Sequence, residues 1–189
     1  MSMIVGLIAE DISDIEVVDE IIKKIQPQIK YSIKYFIGHG CGKIRGKCFQ
    51  WAGFLKAKGC STLIVVHDLD QNELKGLNTK LSQALANCSI SKNVIVIPIR
   101  EIEAWLISDS LAIQTAMKLR EKIPVIPNPE ELIDPKKKLG EIIYLRSGKT
   151  KRYINSAHNR KIAAELDLDN VRRCASFLPL EKFILGNIK

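Results

Sequence analysis

The sequence holds no CxxC pair, no internal repeat and no low-complexity tract. Nor does it hold an apolar run near the roughly 18–20 residues that a membrane span needs. Its opening, MSMIVGLIAEDISD, turns acidic quickly and lacks both a basic leading segment and a small-residue cleavage site. A secretory signal is therefore not expected, and the reading is a cytoplasmic protein. Five cysteines, Cys41, Cys48, Cys60, Cys88 and Cys174, form an odd set, so a disulfide framework is not expected either. His39, Cys41 and Cys48 are close in sequence but match no zinc-finger spacing, and are read as structural or incidental.

What is present is ordinary globular material. The chain has 189 residues, 46% of them hydrophobic and 26% charged, enough for one domain with its own core. The net charge of +8 is uneven: from Asp134 onward, 13 Lys and Arg face 6 Asp and Glu. A basic terminal region suits a protein that handles a polyanion, while a solvated surface is the plainer explanation.

The first 110 residues alternate short apolar runs with amphipathic stretches. MIVGLIA (3–9) reads as a buried strand, and Ile15, Val18, Ile21, Ile22 and Ile25 recur at helical spacing before Pro27. YSIKYFI (31–37) alternates polar and apolar, as a strand near a sheet edge does. A glycine-rich connection, GHGCGKIRGK (38–47), leads into a helix with Phe49, Trp51, Phe54 and Leu55. STLIVVHD (61–68) and NVIVIPI (93–99) read as third and fourth strands, with a helix over 73–86 between them and a helical run from Arg100 onward. The pattern predicts an α/β fold: a four-stranded, mainly parallel sheet flanked by helices. The Pro-rich stretch 124–135 separates the core, residues 1–122, from a mostly helical C-terminal extension, 123–189, of the same single domain.

In such sheets, ligands bind beyond the C-terminal ends of the strands. Glu10, Asp11 and then Asp14 follow strand one, Asp68 and Asp70 follow strand three, and Glu101 and Glu103 follow strand four. If the third strand extends through them, Asp68 and Asp70 share a face about 6.6 Å apart, a spacing that suits Mg²⁺, which prefers oxygen ligands. The plainer reading is that Asp70 caps the next helix, and that the glutamates favour helix N-termini. Like charges gathered at one edge nonetheless repel unless a cation compensates them. An EF-hand is rejected because its sixth and twelfth positions would be Glu73 and Thr79. A haloacid-dehalogenase-like phosphatase is rejected because that motif sits on the first strand, with Thr or Val in place of Asn72.

A Glu after strand one and a DxD after a later strand resemble the Toprim superfamily, the catalytic domains of topoisomerases, primases and OLD-type nucleases. IAEDISDIEVV and VVHDLD carry that resemblance, with Asp11 where many members have Gly. HDLDQN, IPIREIEAWLISD (97–109), the GHGCGKIRGK stretch and CASFLPLEKF (174–183) resemble small prokaryotic Toprim-like proteins over nearly the whole chain. The resemblance implies a Toprim-like, Rossmann-like sheet and a Mg²⁺- or Mn²⁺-dependent phosphoryl-transfer site. Glu10 would be the general acid or base, and Asp68 and Asp70 metal ligands. Glu103 or Glu101 would complete the shell, Trp105 would be core, and Asp109 a helix cap.

The chain carries neither the tyrosine-bearing domain of a topoisomerase nor the zinc domain of a primase, so phosphodiester hydrolysis is the implied activity. The expectation is a metal-dependent nuclease, a candidate component of a defence system with an ATPase partner. Lys43, Arg45, Lys149, Lys151 and Arg152 would meet phosphate, with His158 and Arg160 as weaker contacts. A non-catalytic nucleic-acid or protein-binding module of the same fold, or a small-nucleotide phosphohydrolase, are the alternatives.

Overall fold

A computed structural model of the chain describes residues 3–189, the side chain of Cys41 excepted. Four strands alternate with helices: β1 (Met3–Ala9), α1 (Ile12–Ile25), β2 (Tyr31–Ile37), α2 (Cys41–Ala57), β3 (Thr62–Val66), α3 (Leu74–Leu85) and β4 (Asn93–Val96). All pairings are parallel, in the order β2-β1-β3-β4. The fold is α/β and Rossmann-like, as the alternation predicts. β1 is buried from Val5 to Ala9, whereas β2, at the sheet edge, alternates in exposure.

Each face of the sheet has its own core. Val5, Leu7 and Ala9 of β1 pack with Ile15, Val18 and Ile22 of α1 on one side. Ile8, Leu63 and Val65 pack with Ile44 and Leu55 of α2 and Leu77 and Leu81 of α3 on the other. This split follows from right-handed crossovers: the step from β1 to β2 runs in one direction, and those to β3 and β4 run in the opposite one. Asp11 starts α1 with a capping box, its side chain accepting from Ser13 N and its own N–H donating to Asp14.

After β4 the chain crosses to the α1 side. It forms α4 (Glu103–Ile107), α5 (Ser110–Ala116), α6 (Pro135–Arg146), α7 (Asn155–Glu165), α8 (Leu168–Val171) and α9 (Leu178–Asn187). These add Ile113, Leu139, Ile143, Ile162, Phe183 and Ile184 to the α1-side core. Trp105 is fully buried, its indole N–H donating to Ser176 Oγ at 2.9 Å. Among the described residues, no helix is long and apolar enough to cross a membrane.

Three local expectations are revised. The glycine-rich stretch is a connection only through Gly40, where φ is +115°; from Cys41 it is already helix. The third and fourth strands stop short of 68 and 99 as regular strands. Their ladder nevertheless runs on: His67 N donates to Val96 O, Leu69 N to Pro98 O and Asp70 N to Arg100 O, at 2.9–3.1 Å. Pro98 has no N–H to return, so regular pairing ends there. Third, the helical run after Arg100 breaks at Ser108 and Asp109, which separate α4 from α5.

Of the His39–Cys41–Cys48 grouping, the Cys41 side chain lies outside the described residues. Cys48 is buried on the inner side of α2, and burial pushes its thiol up to about 12.

Candidate active site

β1 and β3 lie side by side, yet the chain leaves them in opposite directions, so the crevice between their C-terminal ends is the topological switch point. A cleft of about 280 Å³ opens at these strand ends. Seven carboxylates line it, those of Glu10, Asp11, Asp14, Asp68, Asp70, Glu101 and Glu103, together with His39, Gly40, Lys136 and Asn155. The acids expected to converge from three strands do converge.

Each acid is held differently. Asp68 Oδ1 accepts from Ile102 N at 3.0 Å, which ties the end of β3 to the turn before α4. Asp70 sits at φ +50°, its carbonyl accepting from Arg100 Nη1 at 3.0 Å. It does not cap the next helix. Glu73 does, accepting from Lys75 N and Gly76 N at 2.8 and 2.6 Å, and the Asp70 carboxylate is left to the cleft. Glu101 Oε2 accepts from Lys136 N in the first turn of α6, at 3.1 Å. Glu103 is 3% exposed, and its Oε1 accepts from the Tyr153 hydroxyl at 2.9 Å and from Asn159 Nδ2 at 3.3 Å.

Burial and mutual repulsion shape the electrostatics. The Glu10 carboxyl is pushed up to about 7, by burial first and by Asp70 next, against the Asp68 backbone N–H and Arg45. Asp14 is pushed up to about 7, chiefly by burial, with Glu103, Asp11 and Glu10 adding to it. Burial raises Asp68 well above the usual carboxylate range, helped by Asp14, Glu103, Glu10 and Asp70. Glu101 is also raised, mainly by burial. Without a counter-ion, this cluster retains protons near neutrality.

His67, fully buried, stands at the hinge of the cluster. Its Nδ1 lies 2.7 Å from the Asp68 carbonyl and 3.1 Å from Glu10 Oε1. The carbonyl can only accept, so Nδ1 carries the hydrogen. That leaves Glu10 Oε1 buried without a hydrogen bond.

The donors are carboxylate oxygens with uncompensated charge, the chemistry of a hard divalent cation such as Mg²⁺ or Mn²⁺. Among the described residues, however, no group of three or more His, Cys, Asp or Glu is arranged to hold an ion. The donor set therefore fits such a cation in kind, and closing a shell requires the repelling carboxylates to draw together.

The expected basic residues divide. Lys43 is exposed on α2, and half-buried Arg45 lowers the proton affinity of Glu10. Lys149, Lys151 and Arg152 do not line the cleft. Lys151 Nζ lies against the Met117 carbonyl and 3.4 Å from that of Lys118, at the C-terminal end of α5. It lines a separate hollow with Lys118, Arg120 and Arg146. His158 Nδ1 accepts from Ile154 N, and Arg160 pairs with Glu20 at 3.0 Å, so both hold α7 in place. Asp109 caps α5, as expected. Lys136, Asn155, Tyr153 and Asn159 are site residues that no local pattern marks, whereas His67 lies in plain view within HDLD.

A parallel Rossmann-like sheet with an acid-lined crevice at its switch point defines the class. The chain belongs to the family described as "Domain of unknown function (DUF4276)", whose model matches residues 10–184. No curated protein and no solved structure matches it.

Proposed function

We propose that this protein is a cytoplasmic, divalent-cation-dependent hydrolase of nucleic-acid phosphodiester bonds, a Toprim-type nuclease. One observation carries the reading: Glu10, Asp68 and Asp70 meet at the switch-point cleft, with the Asp70 carboxylate released from helix capping by Glu73. A cluster whose members raise one another's proton affinity is stabilised by a cation, and phosphate chemistry is what an oxygen-bound Mg²⁺ serves.

Asp68, Asp70 and Glu10 would hold the ion, with Glu101 and Glu103 set beside them by Lys136 N and Tyr153. Bound there, Mg²⁺ supplies orientation of the phosphate and stabilisation of developing charge. Glu10, beside Asp68 and Asp70 at the mouth of β1, is the carboxylate placed to hold or release a proton there, as general acid–base chemistry requires. Lys43 and Arg45 position the phosphate backbone without reading sequence.

A non-catalytic module of the same fold is favoured by one observation, the lack of a ready-made group of three ligands among the described residues. The test offers supercoiled and linear duplex, single-stranded DNA and RNA to the full chain with Mg²⁺ or Mn²⁺. Expected is cleavage that chelator abolishes and that Asp68→Asn or Asp70→Asn abolishes. Binding without cleavage in the native protein would instead establish the module. Phosphate release from free nucleotides alone would establish a small-nucleotide hydrolase.

A further inference from the structure

Residues 21–67 contain nine Lys or Arg and not one Asp or Glu. They make up most of α1's last turns, the edge strand β2 and the helix α2, whose N-terminal approach, His39 and Gly40, forms part of the cleft wall. We infer that the outer face of α2 is a track for single-stranded nucleic acid that leads into the acidic cleft. The direction of the track rests on the hydrolase reading above; the binding surface does not.

Helical periodicity places Lys43, Lys47, Gln50 and Phe54 on one stripe of α2, and Lys58 continues it just past the helix end. All five are exposed. Among the described residues, no carboxylate pairs with Lys34, Lys43, Lys47 or Lys58. Cations without a carboxylate partner, on chain segments that contribute no acid of their own, match a polyanion.

Aromatic rings lie within this cationic surface. Phe36 of β2 stacks on Trp51 with ring centroids 5.4 Å apart, and Phe54 is tilted against Phe36 at 6.1 Å. Lys58 Nζ stands 5.4 Å from the centroid of the Phe36 ring, and Phe54 is 50% exposed. Stacking rings beside backbone-tracking cations is the pattern of single-strand binders, because unpaired bases offer their faces. A duplex keeps those faces stacked inside and would leave Phe54 without a partner. An anionic membrane would find little apolar area here, since the stripe is mostly lysine and glutamine.

At about 1.5 Å per residue, the 17 residues of α2 span about 25 Å, the scale of a short single-strand site. At the N-terminal end of α2, His39 and Gly40 line the cleft beside the acids, so a backbone following the stripe past Lys43 arrives there.

The test is fluorescence anisotropy with the full chain in EDTA, which separates binding from turnover. The probes are a labelled oligothymidylate, its RNA counterpart and a mixed-sequence duplex, with phosphatidylserine vesicles as a fourth. Expected is single-strand binding roughly tenfold or more tighter than duplex binding. Phe54→Ala weakens the single strand by about 5- to 150-fold, the range of one lost base stack. Phe54→Leu, which keeps the apolar bulk, weakens it likewise. Lys43→Gln and Lys47→Gln each flatten the log–log salt slope by about 0.7.

Equal affinity for duplex, indifference to both Phe54 variants, or binding to vesicles but to no oligonucleotide overturns the track. Cleavage of the same oligonucleotides in Mg²⁺ is read separately. Tight single-strand binding without cleavage overturns the hydrolase reading alone. Cleavage with KM unchanged in the Phe54 and lysine variants overturns the track alone.

Discussion

The Tyr153 hydroxyl donates to Glu103 Oε1 at 2.9 Å, joining the segment before α7 to the head of α4 across fifty positions of sequence. Asn159, within α7, adds a second bond to the same oxygen at 3.3 Å. Glu103 is buried, so that oxygen has no water to turn to. Burial, reinforced by Glu103, pushes the Tyr153 hydroxyl far above its usual range and keeps it a donor. The C-terminal helices thus set the orientation of one acid of the cleft, even though they follow the sheet in sequence.

Tyr153→Phe removes that donor without changing the ring that packs there. The expected cost is about 1–3 kcal/mol, the penalty for leaving a buried acceptor short of a partner. Urea unfolding reads it as a lower midpoint at an unchanged slope. A shift under about 0.5 kcal/mol would mean that Glu103 turns to solvent at no cost.

Without divalent ions, stability should fall as pH rises. Glu10 and Asp14 move from ordinary values of 4.5 and 3.8 to about 7 on folding. The folded chain therefore binds more protons between those limits. This contribution is fully present below the unfolded values and is lost as pH passes through about 7. Asp68→Asn keeps an oxygen for the Ile102 N–H while removing a buried charge. In chelator, it should raise Tm more at pH 8 than near pH 4, because burial and the neighbouring acids hold the Asp68 carboxyl well above the usual carboxylate range in the folded chain alone. A drop in Tm at both values would show that the Asp68 charge is compensated within the protein.

Much of this arrangement can be read in the sequence where the signals are local. β1, α1 and β2 occupy the spans that apolar runs, alternation and Pro27 mark out. The convergence of Glu10 with Asp68 and Asp70 could be foreseen because parallel α/β connectivity puts every strand's C-terminal end at one edge. What could not be foreseen depends on contacts between distant segments. REIEAWLISDSLAIQ has the periodicity of one helix. Yet Asp109 accepts from Leu111 N and Ala112 N at 3.0 Å and, with its other oxygen, from Asp167 N at 2.8 Å. That last bond lies 58 residues away and secures the break. Lys151 likewise has the composition of a phosphate contact but meets the carbonyls that end α5. Asp70 admits two readings in the sequence, and the neighbouring Glu73 decides between them by taking the cap.

Mg²⁺ or Mn²⁺ should raise Tm in the native chain, because an ion that binds only the folded state stabilises it by mass action. At one hundred times Kd, the gain is about 2.7 kcal/mol. The gain should be largest near pH 8, where Glu10 and Asp14 have surrendered their protons, and should shrink towards pH 5. Asp68→Asn/Asp70→Asn should remove it. Stabilisation that persists in the double variant would place the ion elsewhere on the molecule.

Gly46 and Gly53 lie within α2 on its solvent side, and a Cβ added at either would meet nothing within 4 Å. Neither has positive φ, so the backbone conformation does not require glycine. Each costs a helix interior about 1 kcal/mol relative to alanine. Gly46→Ala and Gly53→Ala should therefore each raise stability by about 0.5–1 kcal/mol in urea unfolding. At about 10 Å along the helix the two gains should add. Single-strand affinity measured on the same stabilised proteins then assigns the glycines a role. A loss of affinity would mean that the nucleic-acid backbone passes close against the helix there. Unchanged affinity would confine binding to the Lys43–Lys47–Phe54 stripe and leave the glycines as a weakness of α2 alone.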